Sequence, residues 1–416
     1  MEIDDFTIFI GPQTSGKSTI AKSVFFFLSL RDDMFALVSK FFDTNNSDIN
    51  LSLFNNLIDQ KFDAYWGNIS DTDWLIKFYY SKDCFIVLED KKGLITHAFS
   101  DYFIAQITHA KDSLSDVIKS LNGNGTKFLT SRDLALKESN KNQGLDNFQN
   151  NLNGIFGFDG DLLFIPASRS ILAILSDQMQ YVEFRHLDYL MRKFIDRVDS
   201  LRRVIDDSDK FKVNHFIKEG ALDEETLQLI KALSQSILKG SYYNDEDGDD
   251  KIRLENGNYI KLLFASSGQQ EAVWIIQMIL LLILNKQKVF IVIEEPEAHL
   301  FPEAQKNIIN LITLLANVND NQVFITTHSP YLLTSLNNLV YAYQVGQKHP
   351  EKVSEIVDKQ LWLNPEKLQA YFVGGKHNKG RIRSIIHPEL QIIQTEEIDS
   401  ASSINNEEYD LLFDLE

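Results

Sequence analysis

Short apolar runs of strand length alternate with longer helical stretches along this chain, and several runs end in polar or glycine-rich residues. Phe6–Ile10, Val289–Ile293 and Val323–Thr326 are continuous runs of β-favouring residues, the pattern of strands buried on both faces of a parallel sheet. Asp161–Ser170, DLLFIPASRS, predicts a further core strand ending near Arg169. For that arginine a phosphate or partner contact and a structural ion pair both stay open. Hairpin signals lie in residues 85–99, around Asp90, Lys91, Lys92 and Gly93, and in residues 252–264, with Asn256 and Gly257 at the turn. Helical patterning starts at Ser18, fills Ile171–Lys239, and returns in Glu271–Leu284. Ala272–Leu284, broken by Gln277, falls short of the roughly 18–20 residues that cross a bilayer, so it predicts a buried core helix rather than a membrane span. The phenylalanines Phe25–Phe27 read as core packing.

Three of the strand ends carry recognisable chemistry. Phe6–Ile10 runs into Gly11, Pro12, Gln13, Thr14, Ser15, Gly16, Lys17, Ser18 and Thr19, which match G-x-x-x-x-G-K-[ST] in its required strand–loop–helix setting. Glycines let such a loop wrap so that its N–H groups and the following helix end face a phosphate. Lys17 is placed to reach the β- and γ-phosphates and the Ser18 hydroxyl to ligate Mg²⁺. Val289–Ile293 runs into two carboxylates at the strand end where parallel sheets place their chemistry. Glu294 suits the Mg²⁺ shell, and Glu295 suits orienting or deprotonating an attacking water. Some thirty residues later His328 follows a second core strand, where it can donate a hydrogen bond to a γ-phosphate. Together these assign ATP and Mg²⁺ as the cofactors.

Composition narrows the partners. The net charge is −18, from 59 acidic and 41 basic residues, so a whole-surface attraction to nucleic acid is not indicated. Local basic patches leave such contact open. One cysteine, Cys84, gives no disulfide framework and no cysteine zinc site, and suggests a reducing, cytoplasmic setting. Asn244–Asp250 has its glycine in the wrong place for a calcium loop and reads as solvated.

The segment ASSGQQE, residues 265–271, completes a set. The P-loop, SSGQQ, EEPEAHL and TTHSP, in this order, resemble the ABC-type ATPase heads of the SMC and OLD-like group, in particular the ATPases of bacterial anti-phage systems of the Septu or PARIS type. The likeness is strong over residues 6–27 and 252–340. It implies a P-loop α/β fold of ABC/SMC-head type, with a mixed sheet, an antiparallel subsheet and a helical insertion. It also implies that a signature loop binds the γ-phosphate held by a second copy. Ser266, Ser267, Gly268 and Gln270 then join the nucleotide site, with Ser267 as hydroxyl donor and Gly268 as the close backbone approach. Glu297–Leu300 falls at the segment where such dimers touch. The chain departs from the pattern with Glu294 for aspartate, Ser266 for leucine and Gln269 for glycine. The glutamine that contacts metal between lobes is left open among Gln106, Gln143 and Gln149.

The expected organisation is an N-terminal ATPase part over 1–170, a helical insertion over 171–245, a C-terminal ATPase part over 246–345, and an extension over 346–416 suited to partner docking. Two helices of about 25 residues reach only about 38 Å, which leaves no room for a long SMC-style arm. The segment after Tyr343 is short for a TOPRIM nuclease and lacks its D-x-D strand. Lys376–Arg383 is a small basic cluster, and the acidic end holds Ile398, Ile404, Tyr409, Leu412 and Phe413, which predict a short helix or docking segment. The resemblance thus implies an ATPase sensor or scaffold that forms an ATP-sandwich dimer, or higher oligomer, and controls a separate effector, a nuclease. The alternative is an OLD-like nuclease acting directly on DNA.

Overall fold

The computed structural model describes residues 2–43, 51–67, 73–122, 131–175, 187–202, 223–245, 248–374, 381–395 and 408–413. The chain clusters into two compact units, Met1–Ala21 with Asp161–Glu416, and Lys22–Gly160. In chain order it begins with β1 (Phe6–Ile10) and α1 (Lys17–Asp43), whose first residues belong to the first unit. The second unit continues with α2 (Leu51–Trp66), β2 (Trp74–Tyr79), β3 (Phe85–Lys91), β4 (Leu94–Phe99), α3 (Asp101–Asn122) and α4 (Ser131–Phe156). Back in the first unit come β5 (Asp161–Ile165), α5 (Ile171–Leu175), α6 (Tyr189–Arg202), α7 (Glu224–Leu238), β6 (Gly240–Asn244), β7 (Asp250–Leu254) and β8 (Tyr259–Lys261). The chain then forms α8 (Ser267–Leu284), β9 (Val289–Glu294), α9 (Pro302–Asn317), β10 (Gln322–Thr327), α10 (Pro330–Gly346), α11 (Pro350–Ser354), β11 (Leu368–Val373) and β12 (Ile382–Ser384).

The first unit is an α/β fold on a mixed sheet in the order β12-β11-β1-β10-β9-β5. All pairings are parallel except β11 with β12. Every residue of β1 and β9 is buried, as expected for central strands covered on both faces. On one face, Ile8, Ile10, Ile291, Ile293 and Ile325 join a core with residues of α8, α9 and α10. On the other, Phe9 stacks against Phe324 at 4.9 Å and Tyr371 at 5.1 Å. The register aligns Ile10 with Thr327, Thr326 with Glu294, and Ile293 with Ile165. Four strands therefore finish side by side, and the residues after each of them meet along one edge. That edge is where open α/β sheets collect their ligands.

α8 is the one helix among the described residues long and apolar enough to cross a bilayer, and 72% of it is buried inside the fold. It starts at Ser267, four residues before the Glu271 read from the sequence, because the polar SSGQQ stretch forms its first turn. The two hairpins form at their expected turns, but each gains a strand: β2 joins β3 and β4, and β6 joins β7 and β8. Beside the antiparallel β11–β12 pair of the mixed sheet there are thus two wholly antiparallel sheets among the described residues, one in each unit. No turn signal announces β6, because α7 ends on Lys239 in a left-handed conformation (φ 49°) and the strand starts at once. Acidic residues of the 244–250 stretch are engaged by lysines: Asp245 pairs with Lys251, and Asp249 with Lys261 at 2.6 Å.

In the second unit, β2, β3 and β4 form an antiparallel sheet whose tightest turn, Lys92-Gly93, has positive φ at both residues, as a two-residue hairpin requires. Phe26 and Phe27 are fully buried; Phe27 stacks on Phe78 at 4.9 Å and Phe26 meets Tyr65 edge-on at 5.3 Å. Arg31 fastens this unit by donating to the carbonyls of Phe158 and Gly160, both at 2.7 Å. Gln106 lies on α3, and Gln143 and Gln149 lie on α4 of this unit. Lys376–Gly380 of the basic cluster, and Ile398 and Ile404 of the acidic end, lie outside the described residues. Residues 408–413 form a short helix with Tyr409, Leu412 and Phe413 exposed.

Candidate functional site

β1 delivers the chain to Gly11, where a Cβ would stand 2.1 Å from the carbonyl oxygen of Val373 at the end of β11. No side chain fits there, so the neighbouring strand itself demands this glycine. The loop then turns through positive φ at Thr14 (59°) and Gly16 (101°), and α1 begins at Lys17. Pro12, Gln13, Thr14, Ser18 and Thr19 are exposed, whereas Lys17 is buried. The Lys17 ammonium donates to the carbonyls of Gly11 and Pro12, both at 2.9 Å. Burial pushes its pKa down, opposed by the charges of Glu295 and Glu297. The loop lysine and the carboxylates after β9 therefore share one electrostatic environment.

Glu294 is the last residue of β9 and is buried, with Oε2 accepting from the Ala167 N–H at 3.3 Å. Glu295 leaves the strand at φ 44° with its N–H bonded to the Thr326 carbonyl at 2.8 Å. Its Oε1 lies 3.4 Å from His328 Nε2, and both side chains are about one-third exposed (38% and 31%). The general-base candidate and the histidine after β10 thus face each other in the solvent-accessible part of the edge.

Glu297, in the segment expected to lie where dimers touch, turns its side chain inward, where Oε1 accepts from Thr327 Oγ1 and the His328 N–H, both at 2.7 Å. Burial raises its pKa, partly offset by those hydrogen bonds. Ser329 continues the latch: its N–H donates to Thr327 Oγ1 at 2.9 Å, its hydroxyl donates to Gln305 at 2.6 Å and caps α10. Glu297 thereby fixes the backbone that carries His328. The signal was available in the sequence as a third acid within four residues, but a carboxylate's direction is not.

The SSGQQ stretch is organised by a capping box. Ser266 is the N-cap of α8: its hydroxyl accepts from the Gln269 N–H at 3.3 Å, and Gln269 Oε1 accepts from the Ser266 N–H at 3.0 Å. Gln269 also donates to the Leu238 carbonyl at 2.6 Å, and Gln270 donates to the carbonyls of Leu262 and Leu263 at 3.0 and 2.9 Å. The side chains of Ser266, Gln269 and Gln270 are thus engaged within the chain, while Ser267 stays exposed at the helix start. Gly268 faces the segment after β9: a Cβ there would stand 2.7 Å from the His299 carbonyl oxygen. Ser266 and Gln269 are thus partners in one cap.

Arg169, fully buried, donates to the carbonyls of Pro166 and Glu294 at 2.7 Å, of Glu295 at 3.0 Å and of Glu271 at 3.1 Å. Burial lowers its pKa, with Glu271 the largest opposing charge. Of the two readings open for it, the ion pair is the one observed, with Glu271 Oε2 at 3.3 Å. Glu271 went unassigned in the sequence, although one acid inside an apolar helix signals a buried partner.

Residues 1–333 match the AAA ATPase domain family. No curated protein matches the chain. Among solved structures, the chain is similar to an SmcHead bound to the C-winged helix domain of ScpA, at 11% identity over 92% of this chain and 91% of that one, with a TM-score of 0.40. It is also similar to an Smc head domain with an extended coiled coil, bound to the C-terminal domain of ScpA and derived from Pyrococcus furiosus, at 13% identity, 97% and 94% coverage and a TM-score of 0.38. An SMC head domain from Thermotoga maritima matches at 11% identity, 80% and 85% coverage and a TM-score of 0.30.

Proposed function

The chain belongs to the AAA ATPase domain family, and from that premise we propose that it binds ATP with Mg²⁺ at the Gly11–Ser18 loop and hydrolyses it at a site that a second copy completes. The observation that carries this reading is the meeting of Lys17, Glu294, Glu295 and His328 on one sheet edge through the register of β1, β9 and β10. Three buried oxygens of the same unit, Ser15 Oγ, Thr326 Oγ1 and Glu297 Oε2, have no hydrogen-bond partner among the described residues, which suits a polar ligand. Ser18 and Glu294 offer the hard oxygen donors that Mg²⁺ prefers. The ion takes few protein ligands beside substrate phosphates, in keeping with the lack of any cluster of three or more metal-binding side chains among the described residues. When bound, Mg²⁺ would neutralise charge developing on the phosphates.

In this reading Lys17 exchanges the carbonyls of Gly11 and Pro12 for phosphate oxygens. Glu295 orients the attacking water and accepts its proton, and His328, held by Glu297, donates to the γ-phosphate. Ser267 and the N-terminal end of α8 serve the γ-phosphate of the other copy, while the missing side chain of Gly268 accommodates the His299 carbonyl of its own chain. Ser266 and Gln270 contribute through the shape of the loop rather than through their own side chains. The resemblance to anti-phage ATPases extends the proposal: the dimer, or a larger ring, acts in the cytoplasm as a sensor that controls a separate nuclease. The extension from residue 346 onward then supplies docking surface.

Calorimetric titration with a slowly hydrolysed ATP analogue tests the core of this reading. Lys17→Ala should lose binding, while Glu295→Gln should retain it, stop turning over and accumulate as a dimer. Equal turnover in Glu295→Gln and wild type would sink the role of Glu295. Retained affinity in Lys17→Ala would sink the site.

A further inference from the structure

Arg169 holds two parts of the candidate site at once. Its guanidinium takes the backbone carbonyls of both carboxylate residues, Glu294 at 2.7 Å and Glu295 at 3.0 Å. The same group takes the Glu271 carbonyl at 3.1 Å, one turn into the helix that opens with SSGQQ. The Glu271 carboxylate answers by accepting the N–H groups of Arg169 at 2.9 Å and Ser170 at 3.0 Å. Signature helix, β5 turn and β9 end are thereby fastened through one fully buried side chain.

Stability alone is a poor account of this arrangement. Burying an ion pair is costly, and this one directs its donors to backbone carbonyls, two of them those of the candidate catalytic carboxylate residues. The bonds also fall where backbone strain is present. Glu295 sits at φ 44°, a left-handed conformation that costs an ordinary residue about 1 kcal/mol or more. Two bonds hold it there, its N–H to Thr326 at 2.8 Å and its carbonyl to Arg169 at 3.0 Å. A displacement of the first turns of α8 would move Glu271, and through Arg169 the backbone of Glu295.

We propose that Arg169 is a positioning residue that couples the SSGQQ half-site to the carboxylates of its own chain. The inference rests on the reading that two copies hydrolyse ATP between them. When α8 of one copy grips the γ-phosphate held by the other, Glu271 and Arg169 set the angle of Glu295 in the gripping copy. Each nucleotide thus prepares the site that does not hold it, and the two sites of the dimer act in concert.

Two variants of the full chain test this. Arg169→Met/Glu271→Leu removes the buried pair at near-constant volume, and Arg169→Lys keeps the charge without spanning the carbonyls. For each, analogue affinity, ATP-dependent dimerisation, melting temperature, kcat and the Hill coefficient of turnover are measured. Affinity and dimerisation should stay within about twofold of wild type, while kcat drops about 100-fold and the ATP dependence of the rate loses its sigmoidal form. A folded variant with wild-type kcat and Hill coefficient overturns the proposal. So does a parallel fall of kcat, affinity and melting temperature in both variants, the signature of a purely structural residue. Wild-type protein that binds ATP but neither dimerises nor turns it over would instead defeat the parent reading, and this inference with it.

Discussion

Replacing Gln269 by glycine should destabilise this protein. The side chain accepts from the Ser266 N–H at 3.0 Å and donates to the Leu238 carbonyl at 2.6 Å, tying the start of α8 to the end of α7. Losing these bonds, of which only the one to Leu238 is part-buried, costs about 1 kcal/mol, and glycine in the first helical turn adds up to about 1 kcal/mol over alanine. The expected loss for Gln269→Gly is therefore about 2 kcal/mol, with Gln269→Ala showing about half of it. Urea unfolding at unchanged slope measures the difference, and hydrogen exchange localises it to the first amides of α8. A glycine variant as stable as wild type, or equal protection of those amides, would refute the capping argument.

Other consequences can be checked on the same preparation. Gly11→Ala forces a Cβ to within 2.1 Å of the Val373 carbonyl oxygen. It should cost about 1–3 kcal/mol by overpacking, read as a lowered melting temperature. Arg31→Met removes the donors to the carbonyls of Phe158 and Gly160 and should destabilise the second unit by about 1–3 kcal/mol, visible in urea as an earlier transition. Asp223 caps α7, and the Thr226 backbone and hydroxyl hold its pKa below the usual aspartate value. Because the folded pKa is depressed, its contribution of about 1 kcal/mol is complete above about pH 4 and is lost on further acidification. The stability gap between wild type and Asp223→Ala should close at low pH in paired melting curves. Phe264 and Phe301, exposed at 70% and 77% and close in sequence to the SSGQQ stretch and the turn after β9, test the proposed dimer. Phe301→Glu should weaken ATP-dependent dimerisation in light scattering while leaving analogue affinity intact.

Much of this molecule is written in short-range pattern. Continuous apolar runs located β1, β9 and β10 to within a residue, because strands covered on both faces leave no room for polar positions. Glycine and lysine spacing located the tight loop between β1 and α1, since that geometry is local. The sequence also named Glu294, Glu295 and His328 at the ends of those strands, and the parallel register brings them to one edge. What it could not give are the bonds between residues far apart in the chain. Arg169 meets Glu271 and Glu295 from more than a hundred positions away, and Glu297 reaches the His328 backbone 31 residues on. Nothing in the local pattern says whether a carboxylate points out toward a partner or inward to a backbone N–H. Gly11 looked like a phosphate-loop glycine, yet β11, more than 350 residues later, also requires it. The SSGQQ stretch read as a loop because its residues are polar. Only Leu238, brought alongside by the packing of α7, turned Gln269 into an anchored part of a capped helix.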